Sequence, residues 1–71
     1  MNKEAILTRI ARGETITSFE ATKDGEALYE LYEALQKDGL ITFKKHPVKM
    51  GLPGLSNISL TTLGRKYVTT N

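Results

Sequence analysis

The sequence contains no cysteine, and His46 is its one histidine. Disulfides and thiolate metal sites are therefore excluded, and a lone histidine lacks the companions of a zinc site or of a nucleophile–base pair. A glycine-rich phosphate loop ahead of a helix and a Ser–His–Asp set are missing as well. We therefore expect a protein that is not an enzyme and that holds no cofactor and no metal.

Long apolar runs are also missing. No stretch approaches the roughly 18 apolar residues of a membrane span, and the first residues carry charges instead of the apolar run of a signal peptide. Together with the lack of cysteine, this predicts a cytoplasmic protein without a membrane partner. The length of 71 residues predicts a single domain over residues 1–71.

Acidic residues are absent from the second half of the chain. All eight acids lie in residues 1–38, where five bases leave a net charge of −3, whereas residues 39–71 carry five bases and no acid. Such an asymmetry favours a polyanionic or acidic partner. Chance scatter of charges in a short domain is the alternative.

A first helix is predicted over residues 3–12. Apolar residues recur at helical spacing from Ile6 to Ile10, Asn2 is suited to the N-cap, and Gly13 tolerates the positive φ that often follows a helix.

The next segment allows two interpretations. Thr17-x-x-Glu20 matches a capping box preceded by Ile16, which favours a short second helix. The alternative is a strand over residues 14–17 that pairs with a later hairpin.

A long amphipathic helix follows over residues 23–38. Apolar side chains share one face and charged side chains the other. The apolar face holds Leu28, Leu31, Tyr32 and Leu35, and the charged face holds Glu26, Glu30, Glu33 and Lys37.

The remaining third predicts a hairpin and a short helix. Residues 40–44 and 57–61 have the composition of strands, and glycine and proline mark the loop between them. Thr61 or Thr62 can cap a last helix with Leu63, Tyr67 and Val68 on its apolar stripe.

Two steps of this sequence, Gly39-Leu40-Ile41 and Leu60-Thr61-x-x-Gly64-x-x-Tyr67, occur in a familiar order. Preceded by Leu28-x-x-Leu31-x-x-x-Leu35, they resemble the second half of winged helix-turn-helix domains, and the chain is similar to small stand-alone proteins of this type from bacteria and phages. The resemblance implies an α+β winged helix: a three-helix bundle, a two- or three-stranded antiparallel β-hairpin wing and a short C-terminal helix.

The resemblance also implies a transcriptional regulator that binds double-stranded DNA, with a homodimer as the form that doubles its contacts. The candidate contacts are bases and polar residues of the wing, the start of the long helix and the last helix. They are Thr22, Lys23, Tyr29, Lys44, Lys45, Lys49, Arg65 and Lys66. The acids on the long helix oppose this function, because they repel phosphate where a basic helix is expected.

A protein-binding winged helix is the alternative function, for example a phage-encoded antagonist of a host or defence complex. Its candidate interface combines the acidic helix face with the apolar wing. These residues are Glu26, Glu30, Glu33, Met50, Leu52 and Leu55. Two simpler interpretations stay open: a solvated acidic face supported by a Glu33–Lys37 pair, and wing residues that fold back over a small core.

Overall fold

The computed structural model describes residues 2–69, and these form three helices and one antiparallel hairpin. The elements are α1 (Lys3–Ala11), α2 (Lys23–Lys37), β1 (Ile41–His46), β2 (Gly54–Leu60) and α3 (Thr62–Thr69). The α+β class is therefore confirmed.

Helix α1 begins and ends where local signals place it. The Asn2 side chain accepts a hydrogen bond from the backbone N–H of Ala5 at 2.8 Å, which satisfies one of the free donors at the helix start. Beyond Arg12, the backbone turns at Gly13 with φ of 81°. The predicted helix over residues 3–12 is confirmed to within one residue.

The predicted second helix is wrong, since residues 14–20 are neither helix nor strand. The carbonyl of Thr17 accepts a hydrogen bond from the N–H of Leu55 at 2.9 Å, and this is the one backbone link seen there to the hairpin. Phe19 packs edge-on against Tyr29 and Tyr32, with ring centroids 5.4 and 5.5 Å away. Tertiary packing therefore overrides the local capping signal.

Helix α2 follows a tight turn. The Thr22 side chain accepts from the N–H of Gly25 at 3.1 Å, and a Cβ on Gly25 would lie 1.9 Å from the carbonyl oxygen of Glu20. Only glycine allows this approach. The predicted helix over residues 23–38 is confirmed to within one residue, with Tyr32 and Leu35 fully buried.

The hairpin is longer than predicted. Lys45 and His46 pair with Leu55 and Gly54, so the connecting loop shrinks to residues 47–53. A β-bulge on β2 interrupts the register, and the backbone of Asn57 adopts φ of 53° there. The composition of the sequence did not indicate this additional backbone pairing on both sides of the loop.

The two sequence steps that suggested a winged helix lie together in the structure. The N–H of Thr61 donates to the carbonyl of Leu40 at 3.0 Å, and its hydroxyl donates to the carbonyl of Gly39 at 2.6 Å. A Cβ on Gly64 would lie 2.0 Å from the carbonyl oxygen of Leu40. The backbone that follows α2 is therefore in direct contact with the start of α3, and hydrogen bonds from Thr61 hold the two together.

Helix α1 lies against α2, β2 and α3, and the inner side of the hairpin closes the core. The buried residues are Ile6, Leu7, Ile10, Tyr29, Tyr32, Leu35, Ile41, Phe43 and Leu55. None of the helices within residues 2–69 has the length and apolar character needed to cross a membrane.

Candidate nucleic-acid interface

Lys45 connects the hairpin to α2. Strand alternation buries Ile41 and Phe43 and directs Lys45 toward the same side, where the helix lies. Its ammonium is 2.6 Å from the Glu33 carboxylate and 5.8 Å from the centre of the Tyr29 ring. Glu33 therefore pairs across elements with Lys45, rather than with Lys37 along its own helix.

This pairing raises the pKa of Lys45. The hydrogen bond to Glu33 is the largest cause of the raised pKa; desolvation opposes it, and Tyr29 contributes in the same direction as Glu33. The pair stabilises the charged form of the lysine. Lys45, a predicted DNA contact, thus has its charge already compensated within the chain.

Tyr29 does not lie where a DNA contact was predicted. Its side chain is only 8% exposed and belongs to the core, between Phe19 and the Lys45 ammonium. Tyr29 lies one helical turn before Tyr32 and Glu33, and residues three or four positions apart share one face of a helix. Tyr29 therefore faces the hairpin, as Glu33 does.

The outer face of the hairpin is polar. It carries Thr42, Lys44 and His46 from β1 and Ser56 and Ser59 from β2, and we refer to these five residues as the outer hairpin face. Thr42 and Ser59 are hydrogen-bonded at 3.1 Å, and His46 is hydrogen-bonded to Ser56. None of the five is acidic. His46, Ser56 and Ser59 were not among the predicted site residues, although the alternation of Thr42, Lys44 and His46 along β1 indicates that His46 shares this face.

In the hairpin loop, residues 47–53, some side chains pack against the core and others lie in solvent. Leu52 packs against the core, and Leu55, just beyond the loop, is 2% exposed. Met50 is 89% exposed and Val48 52%. The predicted apolar interface is thus corrected: Leu55 is a core residue because strand pairing turns it inward, whereas Met50 does lie in solvent.

The start of α2 lies beside the hairpin loop. A Cβ on Gly51 would lie 4.0 Å from the Cβ of Ala21, which immediately precedes the α2 cap, Thr22. Lys23 and Lys49 are each two residues from this contact, and both are exposed. The two regions predicted to share a DNA surface therefore lie at the same end of α2.

Acids dominate the outward side of α2. Glu26 and Glu30 are exposed, whereas Glu33 is half-buried beside the hairpin. Among the residues described, no three acidic or histidine side chains are grouped as metal ligands.

The predicted contacts on α3 lie next to a surface cleft. Arg65 lines a cleft of about 400 Å³ between α1, β2 and α3, whose other walls are mainly apolar. Lys66 follows it on the exposed side of the helix. Tyr67 lies one turn after Leu63, and its hydroxyl donates a hydrogen bond to the Glu4 carboxylate at 3.3 Å. This cleft lies near the base of the hairpin, away from its loop.

Both edges of the hairpin are partly closed. The Gln36 side chain donates to the carbonyl of Phe43 at 3.3 Å on the β1 edge, and Thr17 accepts from Leu55 on the β2 edge. These contacts limit strand addition, so the outer hairpin face and the hairpin loop are its accessible surfaces.

Comparisons of this chain with known protein families, with curated proteins and with solved structures find no significant match.

Proposed function

We propose that this chain is a DNA-binding transcriptional regulator of winged-helix type that contacts the duplex through the hairpin and the start of α2. One observation carries the proposal: the outer hairpin face and the hairpin loop carry Lys44 and Lys49 and not a single carboxylate. Neither lysine forms an ion pair with any of residues 2–69. Both ammonium groups can therefore meet phosphate without first giving up a partner.

The acidic side of α2 restricts how the helix can approach DNA. Glu30, and Glu26 at the end of the first turn, would repel phosphates if the helix lay along a groove. The very start of the helix is better suited, even with Asp24 beside it, because Lys23 and the N–H groups that Thr22 leaves unbonded both attract anions. In this arrangement the start of α2 approaches one groove, and the adjacent hairpin loop meets the backbone beside it.

Residues 14–20 take the place of the expected second helix in this proposal. They pass between the hairpin and α2 and are held by the Thr17 carbonyl and the Phe19 ring. This irregular segment thus contributes, together with the Lys45–Glu33 pair, to the fixed relation between α2 and the hairpin that a winged helix needs for binding.

The expected affinity follows from the number of free cations. Contacts from Lys23, Lys44 and Lys49 give a slope of log K against log salt of about −2.7 for a monomer and about −5.4 for a two-fold dimer. A homodimer is therefore part of the proposal, since three phosphate contacts bind weakly at physiological salt.

The test is fluorescence anisotropy with a labelled duplex over a series of salt concentrations. We expect Lys44→Ala/Lys49→Ala to lower the affinity and to reduce the slope by about 1.8 per protomer. The matched control is Lys3→Ala/Lys37→Ala, which removes the same charge at the other end of α2, where Lys3 pairs with Asp38 at 3.1 Å. Equal binding by the wild type and both double variants would contradict the proposal.

A protein-binding function is the second candidate, and the exposure of Met50 and Val48 favours it. Apolar side chains in solvent are typical of protein interfaces. This candidate predicts a partner whose retention is lost with Val48→Ser/Met50→Ser and kept with Lys44→Ala/Lys49→Ala. Affinity purification with both variants separates the two functions, because DNA binding predicts that the lysine variant has the larger effect.

A further inference from the structure

The hairpin loop exposes the apolar side chain of Met50 to solvent, while neighbouring loop residues pack against the rest of the fold. Leu52 packs against the core and Gly51, with φ of 90°, lies against Ala21. His46 and Gly54 close the loop as the last strand pair. Met50, directly before Gly51, is the most exposed of the large apolar residues in the described chain. The loop thus presents Met50 from a fixed position.

The charges around Met50 restrict what it can contact. Lys49 precedes it, Lys44 lies on the outer hairpin face, and the sequence has no acid beyond Asp38. A matching surface must therefore be anionic at its edges and apolar at its centre. A DNA base step that is partly unstacked has this character when approached from the minor groove, because phosphate rows flank the groove and the apolar base faces open between them.

The chemistry of methionine suits such a site. Proteins that bind the minor groove insert apolar side chains between base pairs and bend the duplex, and methionine is among the residues they use. Its side chain is unbranched and polarizable, so it can enter a narrow gap. The minor groove is about 6 Å wide, which admits a loop tip more readily than the full hairpin.

We propose that Met50 is a wedge that enters a base step from the minor groove, while Lys49 and Lys44 bind the flanking phosphates, so that the protein bends the DNA it binds. This inference rests on the proposed DNA-binding function. It gives the exposed apolar loop and the lysines beside it one common ligand.

The test uses a duplex of about 24 base pairs, a little over two helical turns, with donor and acceptor dyes on its ends. A central TA step, which is easily unstacked, carries 2-aminopurine in place of its adenine. Wild-type protein should shorten the end-to-end distance measured by energy transfer and raise the 2-aminopurine fluorescence. Bending by roughly 20–90° is the range seen with apolar wedges.

Three variants isolate the wedge. Met50→Ala should lose both signals, while its affinity falls by less than about tenfold because the phosphate contacts remain. Met50→Leu should retain both signals, because the side chain is still large and apolar. Met50→Lys should bind at least as tightly through its added charge but should not bend the duplex. The high exposure of Met50 means that these changes leave the fold intact, which thermal melting will verify.

The results separate the two proposals. Wild-type binding without bending, or bending by Met50→Ala equal to that of the wild type, overturns the wedge and leaves DNA binding standing. Absence of duplex binding by the wild type overturns both. Loss of a protein partner upon Met50→Ala, with DNA binding unchanged, overturns the wedge and assigns the loop to the protein-binding function.

Discussion

The ammonium of Lys45 and the carboxylate of Glu33 lie 2.6 Å apart, joining the basic second half of the sequence to its acidic first half. The pair links β1 to α2 and neutralises one acid and one base next to the proposed DNA surface. It therefore acts in two ways: it orients the hairpin on the helix, and it withholds a lysine from phosphate.

Glu33→Gln should strengthen DNA binding. The substitution frees Lys45 for an additional phosphate contact, so the slope of log K against log salt should become steeper by about 0.9 per protomer. Anisotropy titrations at several salt concentrations measure this slope. Glu30→Gln is the control, because it removes the same charge from an exposed position on α2 at which no ion pair is seen among residues 2–69. A slope that is equal in the two variants would show that Lys45 is not released.

Gly64→Ala should destabilise the fold by about 3 kcal/mol, as expected when atoms are forced into a packed contact. The new Cβ would lie 2.0 Å from the Leu40 carbonyl oxygen, and the backbone there is held by Thr61. Denaturant unfolding gives the change in the free energy of unfolding.

Gly13→Ala is the matched control for Gly64→Ala. The substitution restricts the unfolded chain as Gly64→Ala does, but the new Cβ meets no atom within 4 Å. The positive φ at this position should therefore lower the free energy of unfolding by only about 1 kcal/mol. If the two variants were equally stable, the close approach of Gly64 to Leu40 would not be a constraint on this fold.

Alkaline pH should destabilise the protein through Tyr32. Burial raises the pKa of this phenol above its ordinary value of 10.0, while a hydrogen bond with the Ile16 backbone and the charge of Arg9 oppose the shift. The folded state therefore holds the proton more tightly than the unfolded state, and stability falls as the pH rises above about 10. The raised pKa of Lys45 acts in the same direction.

Tyr32→Phe isolates this effect. We expect the free energy of unfolding of the variant to lie within about 1 kcal/mol of the wild-type value at neutral pH, and to fall less than that of the wild type between pH 9 and 11. Denaturant unfolding across this range gives both values. A variant that loses stability as steeply as the wild type would assign the alkaline loss to other groups.

Local signals predicted the helices of this chain well and its tertiary relations poorly. Asn2, Thr22 and the apolar spacing of α2 act within a few residues, so the sequence is sufficient to place α1 and α2. The pairing of Lys45 with Glu33 and the burial of Tyr29 depend on how β1 crosses the helix, which no local pattern contains. The winged-helix resemblance depended on Gly64 and Leu40, and their contact explains why two separated sequence steps belong together.

The segment between α1 and α2 offers the sharpest comparison of sequence and structure. If Thr17 capped a helix, Thr17→Ala would lower the free energy of unfolding by about 1 kcal/mol. In the structure only the carbonyl of Thr17 is used, and its hydroxyl has no partner among residues 2–69. We therefore expect Thr17→Ala to change the free energy of unfolding by less than about 0.5 kcal/mol.

Thr22→Ala and Phe19→Ala are the variants that should matter in this region. Thr22 caps α2 through the N–H of Gly25, so its loss should cost about 1 kcal/mol. The ring of Phe19 lies edge-on to two tyrosines and is half-buried, so its loss should cost about 2 kcal/mol, less than for a fully buried ring. Chemical denaturation of the three variants ranks them. If Thr17→Ala were as costly as Thr22→Ala, residues 17–20 would form the capped second helix, and the hairpin would be held on α2 without them, by contacts such as the Lys45–Glu33 pair.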